Sequence, residues 1–138
     1  MNGRIGVGWG VAVVVVLAAA LSGCSTLSER RDQVRGAVTA FERALADGEF
    51  ERACAELAPG TAEELEQSVR RPCGKALREE SLPPGGAVRL VDVYSNQARA
   101  VLTKDTLFLS RFSEGWKVVA AGCRPRSDMP YQCRIKGG

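Results

Sequence analysis

The sequence predicts an α+β domain in which helices come first and an antiparallel sheet follows. Between residues 32 and 80, apolar side chains recur at helical spacing, as in Val34, Val38 and Phe41. Residues 81–86, Ser-Leu-Pro-Pro-Gly-Gly, then form a linker inside the domain. After this linker the pattern changes to the two-residue alternation of strands, with many β-branched residues. Helices that precede a run of closely linked strands are typical of the α+β class.

Three helices and a shorter helical segment are expected before the linker. The first helix follows a polar tether at residues 24–31 and ends at the helix-stop pair Asp47-Gly48. A second helix begins almost at once and ends at Pro59-Gly60, so the two should pack as a hairpin. Residues 61–64, Thr-Ala-Glu-Glu, have capping-box form and predict the start of a third helix. Residues 73–80 are expected to add one or two helical turns.

Four strands are expected after the linker, and links of two or three residues make them antiparallel neighbours. The expected strands are 87–94, 97–103, 106–112 and 116–121. The tail from residue 122 to residue 138 contains two prolines and is expected to be irregular. A disulfide within it would fold it back on the last strand and place Tyr131 near the sheet.

The first 23 residues have the composition of a secretory signal. Arg4 is their only charged residue, an apolar run follows at residues 11–21, and the small residues Ser22 and Gly23 come next. The run is shorter than the roughly 20 residues that a membrane-spanning helix needs. We therefore expect residues 1–23 to be a signal peptide, and residues 32–138 to form one folded domain behind the tether.

The segment Leu21-Ser22-Gly23-Cys24 resembles the lipobox of bacterial lipoproteins. The resemblance implies that the Cys24 thiol receives a diacylglyceryl group and that a peptidase cuts between Gly23 and Cys24. Two acyl chains hold a protein stably at a bilayer, whereas one does so only marginally. The expected partner is therefore the lipid bilayer, reached through Cys24 on the extracytoplasmic face of the cell membrane. The alternatives are an ordinary secretory signal with an incidental cysteine, or an uncleaved anchor helix.

Composition excludes several classes of function. The formal net charge is +3, and it falls to about +2 once Arg4 is removed, which does not favour a nucleic-acid partner. There is no histidine, so the commonest general base and the commonest transition-metal ligand are missing. Zinc sites built from cysteine and histidine are excluded for the same reason. We expect no cofactor and no metal.

Four cysteines remain when Cys24 is set aside, and an even number in an exported domain indicates two disulfides. Three pairings are open, and we favour Cys54–Cys73 with Cys123–Cys133 because each pair lies within one local region. A Cys-x-x-Cys motif is missing from the sequence, which argues against a thioredoxin-like redox role. Free or metal-binding thiols are the alternative.

The order of helices and strands resembles the cone-shaped fold of nuclear transport factor 2-like and ketosteroid isomerase-like domains, and many small exported lipoproteins of actinobacteria look like this. Residues 105–112, Asp-Thr-Leu-Phe-Leu-Ser-Arg-Phe, are similar to uncharacterised members. The same holds for Gly115-Trp116-Lys117-Val118 and for residues 120–123. The resemblance covers most of the mature chain and carries no catalytic motif, so it implies a fold without an activity.

Enzymes of the isomerase-like branch typically place an acid or a histidine inside the cone, often with a tyrosine. Here Asp92 and Tyr94 share one face of the first strand with Val88 and Leu90. Asp92 is the candidate general base and Tyr94 the candidate donor. The alternative is that this end of the strand is half exposed and that Asp92 meets an arginine or solvent.

Aromatic residues define a second candidate site. Phe108, Phe112 and Trp116 are expected to cluster where the last hairpin meets the helices, and with Tyr94 they would line a pocket for a small apolar ligand. The alternative is a plain hydrophobic core. The charge run at residues 29–32, Glu-Arg-Arg-Asp, is interpreted as a solvated helix surface because acids are interspersed with the arginines.

The leading hypothesis is a membrane-anchored lipoprotein whose domain is a non-enzymatic interaction or scaffold module of the cell envelope. Its partner would be an envelope protein. The first alternative is a carrier or sensor of a small apolar ligand, and the second is an isomerase-like enzyme that uses Asp92.

Overall fold

The structure is a computed structural model, and it describes Gly3 and residues 25–137. Apart from Gly3, the predicted signal peptide lies outside the described residues. Cys24 and the predicted cleavage point before it lie outside them as well.

Within the described residues, four helices pack on a five-stranded antiparallel sheet, which confirms the α+β class. The strands follow one another across the sheet in chain order, β1-β2-β3-β4-β5, so the sheet is a simple meander. The sheet has one strand more than the four that were expected. The helices are α1 (Leu27–Ala46), α2 (Phe50–Glu56), α3 (Pro59–Val69) and α4 (Cys73–Glu80). The strands are β1 (Val88–Tyr94), β2 (Gln97–Leu102), β3 (Thr106–Phe112), β4 (Gly115–Arg126) and β5 (Met129–Lys136).

Helix α1 begins earlier than expected, because a capping box opens it inside the segment interpreted as a tether. The Thr26 hydroxyl accepts a hydrogen bond from the Glu29 backbone N–H at 3.1 Å. The Glu29 carboxylate in turn accepts one from the Thr26 N–H at 2.7 Å. This reciprocal pair satisfies two N–H groups that the first helical turn leaves free. The prediction of a tether over residues 24–31 is therefore wrong from Leu27 onward.

Helix α3 also begins before the expected position. It starts at Pro59, a residue suited to the first helical turn because it has no N–H to leave unpaired. Thr61 is therefore inside the helix rather than at its cap, and its buried hydroxyl donates to the Val119 carbonyl at 3.1 Å. That bond ties α3 to β4.

The core lies between the helices and one face of the sheet. Val34, Val38 and Phe41 form the fully buried stripe of α1, as their spacing predicted. They face buried residues that alternate along the strands. These are Ala98, Ala100 and Leu102 of β2, Leu107 and Leu109 of β3, and Trp116, Val118 and Ala121 of β4.

The expectation of an irregular tail is wrong, because residues 129–136 form the edge strand β5. It pairs with a β4 that runs on to Arg126. Pro130 had argued against a strand here, but proline is tolerated in an edge strand, where one side of the backbone needs no partner. The tail is thus a fifth strand of the sheet.

Both predicted disulfides are confirmed. Cys54–Cys73 joins α2 to α4, and Cys123–Cys133 joins residues directly opposite each other on β4 and β5. The paired cysteines are 19 residues apart in the first disulfide and 10 residues apart in the second. Each bond stabilises the fold by about 3 kcal/mol if its main effect is on the entropy of the unfolded chain.

Candidate functional site

Asp92, the candidate general base, forms an ion pair with Arg99. The two residues lie directly opposite each other in the β1–β2 register. The Arg99 Nη2 and Nε atoms donate to Asp92 Oδ2 at 2.6 and 3.1 Å. The hydrogen bond to Asp92 raises the pKa of Arg99 above its usual value. This arrangement matches the alternative in which Asp92 meets an arginine at a half-exposed strand.

Tyr94 lies two residues beyond Asp92 at the end of β1, where its side chain is exposed. The hydroxyl group close to the ion pair belongs instead to Tyr131 of β5, which accepts a hydrogen bond from Arg99 Nη1 at 3.4 Å. The Tyr131 ring stands edge-on to Phe108, with 5.0 Å between the ring centroids. Because β5 was not foreseen, Tyr131 was expected near the sheet but not beside Arg99.

The four aromatic residues proposed to line a pocket lie on two different faces of the sheet. Trp116 pairs with Arg111, whereas Phe112 pairs with Gly115, so Trp116 and Phe112 point to opposite sides. Trp116 is buried in the core, while Phe112 is exposed. Phe108 shares the side of Phe112, since the two are four residues apart in one strand. The structure therefore does not bring Phe108, Phe112 and Trp116 into one cluster.

A buried carboxylate that sequence reasoning missed lies on α1. Glu42 follows Phe41 and sits near the apolar stripe, and its side chain is buried. Its Oε2 accepts a hydrogen bond from the Gly85 N–H at 2.5 Å, and the Gly86 N–H also donates to it. The carboxylate thus fastens the linker between the helices and the sheet to α1. An acid so close to an apolar stripe was the available signal in the sequence.

A second carboxylate, that of Asp105 in the β2–β3 turn, lies close to the same linker. Its Oδ1 accepts from the N–H groups of Thr106 at 2.6 Å and Cys123 at 2.9 Å, and its Oδ2 accepts from Gly122 at 2.9 Å. Gly122 has a φ of +66°, in the left-handed region that favours glycine. Asp105 thereby holds the backbone of β4 at Gly122 and Cys123, where the second disulfide is attached.

The two carboxylates have raised pKa values, and burial is the largest cause for each. The pKa of Glu42 rises to about 7, with a further contribution from the negative charge of Asp105. The pKa of Asp105 is also raised, although its three backbone donors and Arg124 oppose the shift. A carboxyl group with a pKa near 7 can exchange a proton at neutral pH. Both groups are bonded to backbone N–H groups, however, so the geometry favours a structural role.

The linker fits tightly between these two acids. A Cβ atom added to Gly85 would lie 2.7 Å from the Asp105 Cβ and 2.8 Å from Leu102 Cδ2. Gly86 has a φ of +84°, a conformation that side chains rarely adopt. The glycines of the linker are therefore needed for close approach as well as for the turn.

A large open cleft lies between α2 and α4, beside the Cys54–Cys73 bond, and it measures about 750 Å³. Side chains of both charges line it. The Arg78 guanidinium lies 5.2 Å from the centre of the Phe50 ring, and Arg52 pairs with Glu49 at 2.7 Å. A rim of mixed charge around an aromatic ring is a surface that suits a polar partner.

Three further findings concern membrane-spanning helices, metal-binding groups and similarity to known proteins. None of the helices in the described part of the chain is long and apolar enough to cross a membrane. In that same part, no group of three or more acidic, cysteine or histidine side chains is placed to hold a metal ion. Comparison with protein-family models, with curated proteins and with solved structures gives no match for this chain.

Proposed function

We propose that this chain is a lipoprotein anchored through Cys24 on the outer face of the cell membrane, and that its domain is a non-enzymatic interaction module of the cell envelope. The observation that carries the proposal is the division of the cysteines. The sequence has five, and the four in the domain pair into two disulfides. Cys24 is left over, and it is the one that follows the apolar run.

The two disulfides support export, because such bonds persist in oxidising compartments and are rare in the cytosol. The lipobox resemblance of Leu21-Ser22-Gly23-Cys24 supports acylation at the leftover cysteine. Anchoring by two acyl chains would be stable without a membrane-spanning helix.

The placement of the candidate site residues supports an interaction module over the two alternatives. Trp116, proposed as a pocket wall for a carrier, is packed in the core with Val34 and Leu109. Asp92, proposed as the base of an enzyme, is engaged by Arg99. The cleft between α2 and α4 is open and of mixed charge, and we expect an envelope partner to bind there.

Intact-mass measurement of the membrane-extracted protein tests the anchor. The native chain should begin at Cys24 and carry a diacylglyceryl group, and Ser25→Ala should behave in the same way because it keeps the thiol. Cys24→Ala should show neither the added lipid nor the cut before residue 24. A native chain that starts elsewhere, or that starts at Cys24 without lipid, would contradict the proposal.

Adding reductant to the same sample tests the disulfides. The mass should rise by about four hydrogens, two for each bond, if both disulfides are formed in the cell. A smaller or larger rise would contradict the two disulfides that support export.

A further inference from the structure

The chain between the proposed anchor and the folded domain is very short. Thr26 caps α1, and Ser25 is the only residue between Thr26 and Cys24. Two residue steps span at most about 7 Å. If Cys24 is acylated, as the proposed function on which this inference rests requires, the first turn of α1 is held beside the lipid headgroups.

The structure shows which surface accompanies that turn. The Arg30 guanidinium lies over the ring of Trp116 at 5.9 Å, so the start of α1 is beside the start of β4. The Arg111 N–H donates to the Asn96 carbonyl at 2.8 Å, which places the β1–β2 turn next to the end of β3. The first turn of α1 and the β1–β2 and β3–β4 turns therefore occupy one end of the molecule. We call this surface the anchor end.

Exposed apolar side chains are concentrated at the anchor end. Among the described residues, five large apolar side chains are exposed: Leu27 49%, Tyr94 65%, Phe112 37%, Leu90 48% and Met129 53%. The first three lie at the anchor end. Leu90 lies nearer the start of β1, and Met129 lies at the β4–β5 turn, at the far end of the long strand β4. Tyrosine is enriched at the interface between lipid and water, and phenylalanine and leucine occur on the apolar face of helices that lie in it.

Charge at the anchor end is mixed, with a small excess of cations. The basic residues are Arg30, Arg31, Arg111 and Lys117, and the acidic residues are Glu29, Asp32 and Glu114. The Glu29 carboxylate is occupied by the capping box of α1, and the Lys117 ammonium donates to the Ala55 carbonyl at 2.7 Å. Long basic side chains can lay their apolar stems on a lipid surface while their charged ends reach the headgroups. Residues 29–32, interpreted from the sequence as a solvated helix surface, belong to this end.

We infer that the anchor end rests on the bilayer, with Leu27, Tyr94 and Phe112 in the lipid–water interface. The lipid surface is the occupant because the two-residue connection to Cys24 leaves this end no room to move away from it. The domain would then stand in one orientation. Its β4–β5 turn would point away from the membrane, and the acyl anchor and the three apolar side chains would act together.

Photolabelling of the full acylated protein in vesicles tests this orientation. The vesicles contain a phospholipid with a diazirine near its headgroup, and labelled residues are located by mass spectrometry. We expect labels on Leu27, Tyr94 and Phe112, and not on Leu90 or Met129. The double variant Tyr94→Ser/Phe112→Ser should keep the label on Leu27, which the anchor holds at the headgroups, but should lose most of the label in the β1–β2 and β3–β4 turns. Leu90→Ser/Met129→Ser, which removes equally exposed side chains elsewhere, should label as the native chain does.

Labels spread evenly over the five exposed side chains, or confined to Met129, would overturn the inference. So would an unchanged label in the β1–β2 and β3–β4 turns of the Tyr94→Ser/Phe112→Ser variant. The intact mass of each sample separates the two proposals. If the diacylglyceryl group is present and the anchor end is unlabelled, the inference fails and the lipid anchor stands. If the group is missing, the proposed function fails and the inference falls with it.

Discussion

At the scale of single residues, Glu42 shows how a carboxylate can be retained in a core at a cost. It lies beside fully buried Phe41 and holds the linker through Gly85 and Gly86. Burial opposes the charged form more strongly than these hydrogen bonds favour it, so the pKa rises to about 7. At neutral pH the Glu42 carboxyl group is therefore partly ionised, and burial of the charged form lowers the stability of the fold.

This shift predicts a dependence of stability on pH. Since the folded pKa of about 7 exceeds the unfolded value of 4.5, the folded state binds more protons between these two pH values. The free energy of unfolding should therefore be highest below pH 4.5, as far as Glu42 is concerned, and should fall as pH rises through 7. The loss is at most about 3 kcal/mol. Denaturant unfolding measured at several pH values checks this.

Glu42→Gln isolates the contribution of this residue. Glutamine can still accept the Gly85 hydrogen bond but carries no charge, so the variant should be more stable than the native protein at pH 8. It should also lose much of the fall in stability between pH 5 and pH 8. Glu63→Gln, at an exposed position of α3, is the matched control and should keep the native profile. If Glu42→Gln kept the native dependence of stability on pH, the raised pKa could not be the cause of that dependence.

Two glycines are expected to respond in opposite directions to alanine. Gly85→Ala places a Cβ within 3 Å of Asp105 and Leu102, so the linker must shift, at a cost of about 1–3 kcal/mol. Gly36→Ala on the exposed face of α1 meets no atom within 4 Å and should stabilise by about 0.5–1 kcal/mol through helix propensity. Thermal unfolding of both variants checks the signs, and a destabilised Gly36→Ala protein would count against the α1 assignment at that position.

The contacts that Glu42 and Asp105 make with the backbone could not be predicted from the sequence, for a physical reason. Glu42 and Gly85 are 43 residues apart, and Asp105 and Cys123 are 18 apart, so the partners meet only once the sheet has formed. Local sequence patterns predict which side chains are buried. They do not predict which hydrogen-bond donors from distant parts of the chain will lie beside them. The disulfides were predictable because few cysteines leave few pairings.

At the scale of elements, strong periodic patterns of apolar residues were sufficient to locate helices and strands. Element ends that are formed by polar residues could not be located in this way. The two-residue alternation predicted the strand at residues 97–103, and the structure buries Ala98, Ala100 and Leu102 on one of its faces. The start of α1 was misplaced because its first turn is polar and is held by the Thr26–Glu29 box rather than by apolar contacts. Strand β5 was missed because Pro130 and the charged residues that follow it fit a loop equally well when the partner strand is unknown.

The capping box at the start of α1 makes a prediction of its own. Thr26→Ala removes the acceptor for the Glu29 N–H and should destabilise the domain by about 1 kcal/mol. Ser28→Ala, two residues further on and inside the helix, is the control and should be neutral or slightly stabilising. Far-UV circular dichroism during thermal unfolding measures both. Equal midpoints for the two variants would show that the cap contributes nothing to stability.

At the scale of the whole molecule, the two disulfides tie the stability of the fold to the redox state of its surroundings. A domain of this size is typically stable by about 5–15 kcal/mol, and the two disulfides together supply about 6 kcal/mol of that. We therefore expect reductant to lower the urea midpoint sharply. Either pair of serine substitutions, Cys54→Ser/Cys73→Ser or Cys123→Ser/Cys133→Ser, should lower it by about half as much, because the two loops differ by less than a factor of two in length. A reduced domain as stable as the oxidised one would remove the physical reason for export, since the same fold would then persist in the cytosol.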